Sequence, residues 1–137
     1  MLQQDYFLRL IREFFAALQR ALEKNEIEDR TKAIHELYEQ YVGPYEFYQA
    51  ATIEQIMKDI ERYPENQRIN RLEMLAELYY VEADLRSTPF REHLYNQAYL
   101  LFRFIDTHSG VYSIERKEKI AKIEKKLQVD CSRSMGV

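Results

Sequence analysis

With 3 glycines and 3 prolines in 137 residues, this chain has few places where its backbone can reverse sharply. A sandwich or barrel needs a turn signal about every 8–12 residues, and a phosphate-cradling loop needs clustered glycines, so neither fits. Long helices remain. A hydrophobic share of 46% with 31% charged residues places them in one soluble globular domain, expected over residues 1–129 with a frayed tail at 130–137.

Breakers and caps divide the chain into about six helices. The first is expected from Asp5 to Lys24, with Phe7, Leu10, Ile11, Phe14, Phe15, Leu18 and Ala21 recurring at three and four residues on one face. The second, from about Ile27 or Arg30 to Val42, carries Ile34, Leu37, Tyr38 and Tyr41 and is stopped by Gly43 and Pro44. An aromatic loop with Tyr45, Phe47 and Tyr48 leads to Thr52, which forms a capping box with Gln55 and opens a short third helix that Pro64 ends. The fourth, from Glu65 to Arg86, has an apolar stripe too wide for a surface helix and belongs at the centre. Thr88 and Pro89 open the fifth, which ends near Gly110, and Ser113 caps a basic sixth.

Connections this short join antiparallel neighbours, so an all-α fold of two helical hairpins, a linking helix and a C-terminal basic helix is expected. Leu75-x-x-Leu78 fits the large positions of a tetratricopeptide repeat, although Tyr79, Glu82 and Arg91 stand where its later small and aromatic positions fall. Gln4-Asp5-Tyr6-Phe7-Leu8-Arg9-Leu10-Ile11, then Phe14-Phe15-Ala16-Ala17-Leu18, and Leu72-Glu73-Met74-Leu75-Ala76-Glu77-Leu78 resemble a family of short bacterial proteins of unknown function. That resemblance, over about residues 1–105, implies a compact tetratricopeptide-like helical domain and no catalytic residue.

The net charge of -3 gives no global attraction to nucleic acid or an anionic membrane. Its distribution is uneven: from Val111 to Val137 there are seven Lys/Arg against four Asp/Glu, leaving 13 against 19 before them. No secretory leader or membrane span is legible, so a cytoplasmic location is expected. Cys131 stands alone, which excludes a disulfide framework and any multi-cysteine metal site. No His pair shares a helix at i,i+4, and Lys32, Phe90 and Ile105 stand where a Glu-x-x-His motif needs its acid, so no metal or other cofactor is expected.

The aromatic content is more informative: 11 Tyr, 7 Phe and no Trp. Tyrosine buries a flat body while its hydroxyl seeks a partner, so Tyr38, Tyr41, Tyr45, Tyr48, Tyr79, Tyr80, Tyr95 and Tyr99 are candidates for an aromatic face that binds a peptide or helix, as well as for the core. A non-enzymatic protein-interaction module is the function expected. An alternative is a small hydrolase or transferase using Asp106 and His108 at the end of the fifth helix, where the structural explanation is an ordinary helix terminus. A further alternative is weak nucleic-acid binding through the basic sixth helix, although Glu115, Glu118 and Glu124 interrupt its lysines. The narrow stripe Ile120, Ile123 and Leu127 on that helix can cover its own bundle or join two copies in a two-fold dimer.

Overall fold

The computed structural model describes residues 2–135, with side chains from 4 to 128. Seven α-helices follow one another: α1 (Leu2–Leu22), α2 (Ile27–Leu37), α3 (Tyr45–Ala50), α4 (Ile53–Asp59), α5 (Glu65–Ala83), α6 (Phe90–His108) and α7 (Ile114–Met135). No strand occurs among the described residues. Helix α7 continues through Met135 into the segment expected as a tail, whose side chains, Cys131 among them, lie outside those described.

Three local features differ from expectation, one being that Pro89 rather than Thr88 takes the N-cap place of α6 while the Thr88 hydroxyl donates to Glu92 at 2.7 Å. A π-helical stretch, Tyr38–Val42, extends α2, and the Gly43 amide donates to the Tyr38 carbonyl at 2.7 Å. Gly43 then adopts φ 151° beneath the Tyr48 ring, where a Cβ would stand 2.9 Å from Cε2. Only glycine meets both demands. The aromatic segment expected as a loop is helix α3, because Pro44 occupies its N-cap place and the Glu39 carboxylate accepts the Tyr45 amide at 2.8 Å. That acceptor comes from the preceding element, so no local cap pattern marks the helix. The Thr52–Gln55 capping box and the Ser113 cap on the Arg116 amide form as expected.

Helix α5 is central. Leu72, Met74, Leu75, Ala76, Leu78, Tyr79 and Ala83 are buried around its whole circumference, against α1, α2, the π stretch and α6. Leu75→Ala should therefore leave a cavity that rigid neighbours cannot close, costing about 2–5 kcal/mol. A urea titration should show a much lower midpoint for it than for Arg9→Ala on exposed α1 surface; equal midpoints would place the core elsewhere.

Helix α7 runs back along α6 and parallel to α5. Arg116 reaches Glu73 at 3.8 Å, the Lys119 ammonium donates to Glu77 at 2.8 Å, and Lys126 meets Asp84 at 3.3 Å, so three pairs follow the two helices in register. Arg116, itself buried, also donates to Asp106 at 3.0 Å, and Lys117 donates to the same carboxylate at 2.7 Å. Beneath these charges Ile120 and Ile123 are buried and Leu127 packs against the core. The stripe thus covers its own bundle, and a dimer through it would require α7 to leave that place.

Candidate functional site

An open cleft lies between α3, the turn after α5 and the first turn of α6. Its volume is about 570 Å³ and its lining includes Tyr45, Gln49, Arg86, Phe90, His93 and Leu94. Helical spacing assembles it: Tyr45 and Gln49 are one turn apart on α3, and Phe90 and Leu94 are one turn apart on α6. This size falls within the range of small-ligand sites, which run from roughly 300 to 1,000 Å³.

Under the cleft sits Glu82, a buried carboxylate on α5. Tyr38 donates to it at 2.8 Å, Gln49 at 2.9 Å, and the Tyr45 hydroxyl also donates to it. The Arg86 guanidinium stands 3.5 Å from the same carboxylate and donates to the Tyr45 hydroxyl at 3.3 Å. Tyr45 is gripped from both sides: the His35 ring stacks on it at 4.1 Å and Tyr38 meets it edge-on at 5.0 Å. A buried carboxylate with this many donors is satisfied, and the side chains around it are held in place.

That arrangement disfavours chemistry at the phenols. Burial, and then the hydrogen bond to Glu82, push the Tyr45 hydroxyl up to about 12, and burial drives Tyr38 well above its ordinary value. Burial and the Asp59 carboxylate likewise raise Tyr48 to about 12, and burial raises Tyr79. A nucleophile or general base at neutral pH needs the opposite shift. The stability consequence has a definite sign. Where the unfolded tyrosines release protons, near pH 10, the folded ones still hold theirs, so stability falls as pH rises through about 10 to 12. Melting temperatures between pH 8 and 12 should fall steeply above 10, and a flat profile there would contradict the network.

The eight tyrosines expected on a binding face divide differently. Tyr38, Tyr41, Tyr48, Tyr79 and Tyr95 are buried in the core, and the hydroxyls of all but Tyr41 have internal acceptors described. Tyr79 donates to the Tyr48 carbonyl at 2.6 Å, Tyr48 to Asp59 at 2.7 Å and Tyr95 to Asp84. Tyr80 is half-buried with Lys119 5.8 Å from its ring centre, and Tyr99 lies beside Arg103. Of the eight, Tyr45 alone lines the cleft. Its exposed aromatic is instead Phe90, 56% accessible, with the Arg86 guanidinium 5.0 Å from the ring centre.

Asp106 and His108 do not meet as a pair. Hydrogen bonds from Lys117 and then Arg116 hold the Asp106 carboxyl below its ordinary value, whereas His108 stacks on Phe104 at 4.0 Å with Nδ1 2.9 Å from the Phe104 carbonyl. Among the described residues no group of three or more His, Cys, Asp or Glu could hold a metal ion, and no helix is long and apolar enough to cross a membrane. Comparison with protein-family models, with curated proteins and with solved structures finds no match to the chain.

Proposed function

We propose that this chain is a non-enzymatic helical interaction module that takes a peptide or helix segment of a protein partner in the cleft between α3 and the start of α6. The observation that carries this reading is an exposed Phe90 set beside Arg86, above a floor whose polar groups are already paired. Aromatic and arginine side chains are the usual energetic anchors of protein interfaces. A floor fixed before binding reduces the ordering cost that association incurs. In this reading the α1–α2 and α5–α6 pairs are two hairpins of the tetratricopeptide-like kind, and the cleft lies where the linking helices meet the second hairpin.

Selection of a displayed random-peptide library on the intact chain tests the proposal. Enrichment that Phe90→Ser abolishes, with the helical circular dichroism of the chain preserved, is the expected outcome. No enrichment, or peptides that bind the Phe90→Ser variant equally well, would overturn it.

A further inference from the structure

The geometry points to a carboxylate as the group that the cleft takes from its peptide, with Arg86 as its anchor; this rests on the cleft being the peptide site. Arginine carries five N–H donors in a planar fork. Among the described residues Arg86 is engaged through NH1 alone, by Glu82 at 3.5 Å and Tyr45 at 3.3 Å. Its Nε and NH2 make no hydrogen bond or ion pair among the described residues. The side chain is 32% accessible and lies against the Phe90 ring, so the open edge of the fork is fixed in direction rather than swept through solvent. An Nε–NH2 edge presents two nearly parallel donors, the spacing that a carboxylate accepts with both oxygens.

The surrounding charges narrow the choice of anion. Glu82 lies beneath Arg86, and Glu46 stands in the cleft wall. Two acids beside one guanidinium leave no positive charge in excess, which opposes a phosphate dianion most, whereas a planar, singly charged carboxylate fits the two donors of the fork at the smaller charge cost. The positive end of α6, a helix of 19 residues, begins at the same wall and adds attraction of the same sign. Pro89, Phe90 and Leu94 flank the fork with apolar surface, so the carboxylate should sit next to an aromatic or aliphatic side chain of the ligand. Such a carboxylate is either a peptide C-terminus or an Asp or Glu side chain.

Three probes separate these possibilities in an NMR titration of the intact ¹⁵N-labelled chain, followed through backbone amides and the Arg86 Nε–H. N-acetylphenylalanine carries an α-carboxylate, N-acetylphenylalaninamide carries none, and N-acetyl-aspartyl-phenylalaninamide carries only a side-chain carboxylate. At least one acid should shift Arg86, Phe90 and Leu94 saturably and bind about tenfold or more tighter than the neutral amide, as charge-assisted hydrogen bonds warrant. The tighter acid identifies the source of the carboxylate. Arg86→Lys, which keeps a cation near Glu82 but lacks the fork, should erase the preference while shifts remote from the cleft stay unchanged. If the neutral amide binds the same residues as tightly as both acids, or the preference survives in Arg86→Lys, the carboxylate assignment is wrong and the cleft remains a binding site. If none of the three probes shifts cleft residues, both this inference and the peptide-binding reading fall.

Discussion

Cutting the chain after Gly110 is expected to abolish its cooperative unfolding transition. The cut removes Ile120 and Ile123, which are buried, and each such side chain contributes about 1.5–3 kcal/mol when fully withdrawn from water. It also strips Glu77, a residue buried in α5, of its Lys119 partner, and Glu73 and Asp106 of Arg116. With their cations gone, Glu73 and Glu77, which already repel each other, are left together on a newly uncovered apolar surface. Against a total stability of about 5–15 kcal/mol for an ordinary domain, these losses suffice to unfold it. Circular dichroism melting of the truncated chain should show a broad, non-cooperative loss of helix. A sharp transition near that of the intact chain would mean that α7 is an accessory rather than part of the bundle.

Glu82→Ala should be the most damaging single substitution among the polar residues. It leaves the Tyr38 hydroxyl, buried and with no second acceptor described, without its partner, and releases Tyr45, Gln49 and Arg86 together. A loss of about 3–5 kcal/mol is expected, comparable with the cavity left by Leu75→Ala. Glu82→Gln should recover only part of it, since the amide nitrogen would face a donor where the carboxylate offers a second acceptor. Chemical denaturation of the two variants beside the parent measures both effects. A Glu82→Ala midpoint within error of the parent would show that the cluster contributes nothing to stability.

How much of this was legible beforehand depends on whether the cause was local. Helix α5 declared its central place through an apolar stripe wider than one face, and Thr52 with Gln55 announced α4 because both partners of a capping box lie within four residues. Helix α3 was hidden because Glu39, which caps it, precedes Gly43 and Pro44, residues that otherwise read as loop. Glu82 entered the sequence reading only as a mismatch to the tetratricopeptide pattern. Its position was nevertheless readable: Leu75, Leu78 and Glu82 follow one another at three and four residues, which places the carboxylate on the apolar side. The eight tyrosines misled in the other direction, because a hydroxyl satisfied by a distant carbonyl or carboxylate, as in Tyr79 and Tyr48, lets the whole ring go inside. Nothing near Lys119 and Lys126 in the sequence signals their acidic partners, because Glu77 and Asp84 each lie 42 positions away.

The docking of α7 has a consequence for how the chain must be made. Ribosomes add about 5–20 residues each second. Ile123 is made 21 residues after Phe102, the buried α6 ring that the Lys119 end of the same helix overlies. For about one to four seconds, then, each nascent chain carries α5 and α6 without their cover, with Tyr80, Phe102 and Ile105 open to whatever is nearby. Acidic side chains line this uncovered surface too, Glu73, Glu77 and Asp84 among them, and their mutual repulsion keeps two nascent copies from joining there before the lysine-bearing helix arrives to neutralise them.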